Sequence, residues 1–256
     1  MFTKHEKDTQ SSIADAVSLI LDARYLTAFT GAGISVESGI PPFRGHGGLW
    51  SRYDPQTLEL SYFHRHPKEA WPVIREIFYD HFQQAQPNEA HRVLARLEER
   101  GLLKVLITQN IDNLHYLAGS RKIVEFHGNS RQLLCTSCGK VVPADPELLT
   151  DLPPRCSCGG LLKPDFIFFG ENIPAKALQE SSQAVRRTDV MLVVGSTGEV
   201  YPAAGLPQEA AHHGAQIIEI NPSPSNFTST ITRVFIQMKA AEALPLIEEA
   251  LEAIQP

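Results

Sequence analysis

The chain has 256 residues, 43% hydrophobic and 20% charged, with 4 cysteines and a formal net charge of −6. That length and apolar content suffice for a large buried core in one or two domains. The acidic balance excludes broad electrostatic binding to nucleic acid or to an anionic membrane surface, while remaining compatible with lysine-rich partners. Residues 1–12 are polar, and no apolar run approaches the ~20 residues that span a bilayer. The expectation is a cytoplasmic monomer with no membrane partner and no specific nucleic acid.

In chain order, Ser11 or Ser12 can cap a helix whose apolar face is Ile13, Val17, Ile20 and Leu21, and Leu26-Thr27-Ala28-Phe29-Thr30 reads as a buried strand. A glycine-rich turn begins at Gly31. Across residues 68–84, Trp71, Ile74, Ile77, Phe78, His81 and Phe82 form a helical stripe that reads as a packing face, with Pro72 tolerable only near its first turn. Asn88 caps a helix bearing Val93, Leu94 and Leu97, which Gly101 ends. Strands are expected at 103–107, 123–126, 166–169, 190–194, 216–220 and 233–237, and helices near 114–117 and at 174–187, 203–213 and 240–254. Continuous apolar strands alternating with helices specify a parallel sheet covered on both faces, an α/β fold.

The glycine turn reads first as a nucleotide site. Gly31 and Gly33 let a pyrophosphate approach the backbone, and the N–H groups opening the next helix favour an anion. The dinucleotide pattern, however, wants Gly or Ala at its sixth position, where Val36 stands. Asp54 has the ribose-binding spacing, but Pro41, Pro42 and the glycines after them would break any helix and strand leading to it.

All four cysteines are used in Cys135-x-x-Cys138 and Cys156-x-Cys158, a spacing close to that of a zinc ribbon with two knuckles. In a reducing compartment such a cluster signals a metal site rather than disulfides, and four thiolates leave no position for water, so the zinc is structural. His127 ends an expected strand beside Gly128. One histidine is by default structural, but an imidazole at a strand's carboxyl end can reach a cleft and titrates near neutrality, as a general base must. Thr108 to Asp112 also follow a strand and, taken alone, are a capping turn.

Taken together and in this order, Gly31-Ala32-Gly33-Ile34-Ser35, Pro41-Pro42-Phe43-Arg44-Gly45, Thr108-Gln109-Asn110-Ile111-Asp112, His127-Gly128, the four cysteines and Phe169-Gly170-Glu171 resemble the sirtuins, NAD-dependent protein lysine deacylases. The resemblance runs from residue 26 to about residue 243. It implies a Rossmann-like domain formed by residues 1–36, 86–129 and 165–256, a cofactor loop and helical part over 37–85, and a zinc module over 130–164. It implies NAD as co-substrate, with Gly31, Ala32, Gly33, Val36, Phe43 and Arg44 in its site. Gln109 and Asn110 then take the nicotinamide-side ribose, Ile111 and Asp112 the carboxamide, and Gly195, Ser196, Thr197, Asn221, Pro222, Lys239 and Ala240 the adenosine half.

The implied chemistry is attack by an acyl-lysine amide oxygen on the ribose carbon bearing nicotinamide. His127, with Asn110 and Asp112 in the catalytic set, then draws a proton from a ribose hydroxyl, and water completes the route to deacylated lysine and O-acyl-ADP-ribose. The backbone around Ile167, Phe169, Gly170 and Val200 is implied to bind acyl-lysine proteins or peptides as an added strand. Where many sirtuins have Gly-Thr-Ser-Leu, this chain has Gly195-Ser196-Thr197-Gly198, a departure on the peptide side. Sirtuins that prefer succinyl or malonyl lysine share a Tyr-x-x-Arg pair. Aligned on Leu49-Trp50 and Pro87-Asn88, those positions fall near Ile74 and Ile77, which implies neutral acyl groups. Mono-ADP-ribosyl transfer at the same site and a non-catalytic, zinc-ribbon NAD sensor are the alternatives.

Overall fold

A computed structural model describes residues 4–43 and 47–254. Arg44, expected in the cofactor site, lies outside the described residues. The chain begins with α1 (Lys4–Asp22) and β1 (Leu26–Thr30), followed after the glycine turn by α2 (Leu60–Arg65), α3 (Pro67–Arg75) and α4 (Glu89–Glu99). Next come β2 (Leu103–Thr108), α5 (Leu114–Ala118), β3 (Ile123–Glu125), β4 (Gly128–Cys135), β5 (Val141–Pro143) and β6 (Leu162–Phe166). The chain closes with α6 (Ala175–Arg187), β7 (Val190–Val194), α7 (Gly205–His212), β8 (Gln216–Ile220), β9 (Thr232–Ile236) and α8 (Ala240–Ile254).

Six strands form one sheet in the order β3-β2-β1-β7-β8-β9, and every pairing is parallel. Successive side chains of a strand point to opposite faces. Accordingly Ala28 of β1 and Leu192 of β7 pack into one core with Val17 and Ile20 of α1, Leu94 and Leu97 of α4, and Leu244 and Ile247 of α8. Their neighbours Phe29, Met191 and Val193 pack into a second core with Val185 of α6 and Leu206 and Ala210 of α7. Both faces are therefore covered, which is why these strands read as unbroken apolar runs.

A smaller antiparallel sheet, β5-β4-β6, carries the cysteines at its end and shares a third core with the helical segment. That core is built on Phe63, Trp71, Ile74, Phe78, Phe82, Phe166 and Phe168. The Trp71 Nε1–H donates to the Leu162 carbonyl at 3.0 Å, joining α3 to β6.

Several expectations shift. The first helix starts at Lys4, so Ser11 and Ser12 lie within it rather than capping it. Residues 68–84 are helical, but α3 starts at Pro67 and contains Pro72, and the run passes into a wider π turn over Glu76–His81 and a 3₁₀ turn over Phe82–Gln84. The strand expected at 166–169 is instead β6, four residues earlier at its start, and it belongs to the antiparallel sheet. Past Phe166 the backbone is claimed elsewhere: the Ile167 N–H donates to the His127 carbonyl at 2.9 Å and the Phe169 N–H to the Leu58 carbonyl at 2.8 Å. Among the described residues, no helix is long and apolar enough to cross a membrane.

Candidate active site

The carboxyl ends of β1, β2 and β7 meet where the chain changes direction across the sheet, the place where open α/β sheets bind ligands. A cavity of about 350 Å³ opens there. It is lined by Gly31, Ala32, Gly33, Phe43, Gln109, Asn110, Ile111, His127, Ile167, Phe169, Gly170, Gly195, Ser196, Thr197, Val200 and Asn221, all expected site residues. Val36, Asp112, Pro222, Lys239 and Ala240 do not line it. Val36 is half exposed on the 3₁₀ turn Ala32–Ser38, and the Ala241 N–H donates to Glu37 of that turn at 2.9 Å, so the start of α8 sits beside it.

Gln109 organises the centre. Its N–H donates to the Thr30 carbonyl at 3.0 Å, its side-chain amide donates to Ser196 Oγ at 3.1 Å, and its carbonyl faces His127 Nδ1 at 3.1 Å. A carbonyl can only accept, so Nδ1 carries the proton and Nε2 of the neutral ring is left as the acceptor. Burial lowers the His127 pKa, and the bond to Gln109 opposes this in part.

Asn110 is buried, and its side-chain amide donates to the Gly31 carbonyl at 3.1 Å and to Ser35 Oγ at 3.2 Å. Asp112 sits behind the cavity wall, where it accepts from Ser35 Oγ at 2.7 Å and from the Leu114 N–H at 3.0 Å. Burial raises its pKa while these two bonds lower it. Through these bonds Asp112 fixes the turn that presents Ile111.

Three features were not visible in sequence. Of the expected acyl-channel positions, Ile74 and Ile77 are buried in the third core, and the helical residue that lines the cavity is Phe78. Phe78 stands on the π turn that begins at Glu76. Phe78 joins Phe43, Trp50, Leu58, Phe166 and Phe168 in an apolar wall, and among the described residues the lining holds no lysine or arginine.

Secondly, His91 and His115 lie behind the glycine turn with ring centroids 4.8 Å apart. His115 Nε2 meets Thr30 Oγ1 at 2.9 Å. Burial pulls the His91 pKa down to about 3 and that of His115 well below its ordinary value. Thirdly, Lys163 of β6 is buried against Glu171, which lines the cavity.

The four cysteine sulfurs lie within 4.8 Å of one another, with Cys135 and Cys158 at 3.6 Å and Cys138 and Cys156 at 3.9 Å. Sulfurs at tetrahedral corners ~2.3 Å from zinc are separated by ~3.8 Å, so the thiols fit that ion. Gly160 is required by space: a Cβ there would sit 2.7 Å from Cys135 Sγ.

A sequence model of the Sir2 family matches residues 31–202. The NAD-dependent protein deacylase of Aeropyrum pernix is 42% identical over 242 residues, which cover 94% of this chain and 98% of that one. That of Thermococcus kodakarensis is 44% identical over 247 residues, 91% of this chain and 93% of the relative. A mutant Sir2 homologue in complex with ADP-ribose superposes with a TM-score of 0.88 at 40% identity, over 94% of this chain and 97% of that one. A Sir2 mutant with a deacetylated peptide and 3′-O-acetyl ADP-ribose gives a TM-score of 0.87 at 36% identity, over 93% and 98%. The chain belongs to the Sir2 family.

Two outcomes are expected. Replacing Cys158 with Ser releases bound zinc, read with a chromogenic chelator, and lowers the melting temperature, because metal-binding energy is here folding energy. His91 and His115 are neutral when folded and protonated when unfolded below pH ~6.5, so the unfolded state binds more protons and acid destabilises the fold, by up to ~1.4 kcal/mol per pH unit for each. Urea unfolding between pH 7 and 5 shows this slope, and His91→Gln makes it shallower.

Proposed function

We propose that this chain removes acyl groups from lysine side chains of proteins or peptides while consuming NAD. The observation that carries the reading is one cavity shared by the two glycine turns, His127 with Nε2 unprotonated, and the 167–170 segment. NAD supplies a ribose carbon that loses nicotinamide and accepts the amide oxygen of the acyl-lysine. Gly31, Ala32 and Gly33, with Gly195, Ser196 and Thr197, would hold its phosphates. Gln109 and Asn110 would hold the nicotinamide-side ribose, and Ile111 and Asp112 the carboxamide through backbone and side chain. Asn221 and the outlying Pro222, Lys239 and Ala240 would flank the adenosine.

His127 Nε2 takes a proton from a ribose hydroxyl, which becomes the nucleophile toward the acyl carbon. The ring needs no protonation change to start, since burial favours its neutral form. Ile167, Phe169, Gly170 and Val200 would receive the peptide. The net charge of −6 supports cationic, lysine-bearing segments as partners rather than nucleic acid. Incubation with NAD and an acetyl-lysine peptide, followed by mass spectrometry, should show nicotinamide, acyl-ADP-ribose and deacetylated peptide together. An ADP-ribosylated peptide would indicate transfer to another acceptor instead.

His127→Ala should abolish turnover while ADP-ribose affinity changes by no more than a few-fold, because a general base acts on the barrier more than on ground-state binding. With the His127 pKa lowered, the acid limb of the wild-type kcat/KM profile should fall below pH ~6.5. The aromatic wall predicts the acyl class as well. A succinyl carboxylate against Phe78 and Trp50 would lose several kcal/mol of hydration without a cationic partner, whereas a neutral chain gains ~0.8 kcal/mol per buried CH₂. Acetyl-lysine should therefore exceed succinyl-lysine in kcat/KM by orders of magnitude on one peptide, and equal values would overturn the assignment of the wall.

A further inference from the structure

Lys163 is a buried charge beside the cavity that the proposed reaction does not use. It lies on β6 in register with Leu134 of β4, and its side chain is only 4% exposed. An ammonium has three protons to place. They reach the Pro164 carbonyl at 2.8 Å, the Phe166 carbonyl at 2.7 Å and Glu171 Oε2 at 3.0 Å. The Phe168 ring lies 4.3 Å from the same nitrogen. Burial lowers the Lys163 pKa, and Glu171 first, then Asp165, oppose this. A buried charge paired this completely costs several kcal/mol to break from one side, so the arrangement is held rigidly.

What it holds is the segment between β6 and Glu171. Glu171 Oε2 also accepts the Phe168 N–H at 2.6 Å, and the Glu171 N–H donates to the Phe168 carbonyl at 3.0 Å. On the other side, Phe169 exchanges hydrogen bonds with Leu58 and Leu60, and Ile167 donates to His127. The Gly170 N–H and the carbonyls of Ile167 and Gly170 carry no hydrogen bond among the described residues, and both residues line the cavity. The segment is thus fixed on two sides and open on a third, at the cavity.

We propose that Lys163 is a positioning residue for peptide recognition: through Glu171 it fixes residues 167–171 so that their open backbone groups pair with the chain flanking the acyl-lysine. This rests on the deacylase reading. The backbone of the flanking residues, not the acyl-lysine itself, should feel the loss of Lys163. A residue that merely stabilised the fold would affect long and short substrates alike.

The test compares kcat/KM for an acetyl-lysine octapeptide with that for a single N-acetyl-lysine amide, in wild type, Lys163→Met and Glu171→Gln, alongside ADP-ribose affinity by calorimetry. The octapeptide preference should fall roughly ten-fold or more in both variants, about the effect of one lost hydrogen bond, while ADP-ribose affinity stays within a few-fold. An unchanged preference, or equal loss on both substrates, overturns the proposal. If Lys163→Met does not fold, Glu171→Gln decides by the same ratio. Wild type inactive on both substrates would refute the deacylase reading, a result distinct from any change of ratio between variants.

Discussion

The site depends on a backbone contact that no side chain could occupy. A Cβ on Gly33 would lie 2.6 Å from Gly195 Cα, and one on Gly195, whose φ is +64°, would lie 2.4 Å from the Ile34 nitrogen. Into that space go two hydrogen bonds, from the Gly31 N–H to the Val194 carbonyl at 3.0 Å and from the Gly33 N–H to the Gly195 carbonyl at 2.9 Å. The glycines are therefore needed first to dock the turn after β1 on the turn after β7. As a consequence of this docking, residues of both turns border one cavity.

From this contact outward, each expected polar residue serves the protein before it could serve a ligand. Gln109 spans from Thr30 to Ser196, Asn110 ties Gly31 to Ser35, and Asp112 takes the Ser35 hydroxyl. Asn221 donates to the Ser196 carbonyl at 3.1 Å, which braces the same turn from β8. A set of groups already committed in this way loses little freedom when a co-substrate arrives, and preorganisation of this kind is what makes binding inexpensive. Gly198 follows the same logic. At φ +71°, with the Phe227 ring 2.9 Å from where a Cβ would be, it cannot carry the leucine common in related chains.

The sequence was most informative where one residue type answers one physical demand. The parallel strands announced themselves through apolar runs, the zinc site through cysteine spacing, and the glycine turn through Gly31 and Gly33, whereas Asn110 and His127 stood out chiefly through the family resemblance. It was least informative where pairing is non-local. β4 contains Arg131 and Gln132 and has no clean alternation, so nothing local marks it as the middle strand of a sheet. On the helical segment Phe78 lines the cavity, not Ile74 or Ile77, and the π turn that carries it leaves no compositional trace. His91, His115 and Lys163 read as surface residues by type. Once buried, they find partners in Thr30, Asn88 and Glu171.

His127 shows how closely these levels are joined. Its Nδ1–H rests on a peptide carbonyl, and among the described residues no carboxylate hydrogen-bonds the ring, while burial acts to keep it neutral. The carbonyl belongs to Gln109, whose amide reaches the turn after β7, and the His127 carbonyl in turn accepts the N–H of Ile167 at the start of the 167–171 segment. The imidazole is thus oriented by the same backbone that sets the spacing between the two glycine turns and the 167–171 segment. Gly128 completes the linkage: a Cβ there would sit 2.2 Å from the Asp165 carbonyl oxygen, so β4 can leave His127 against β6 only with glycine at this position. Because Gly128 of β4 follows His127 directly and Ile167 follows β6, a substitution that separates β4 from β6 also disturbs the backbone that orients the imidazole.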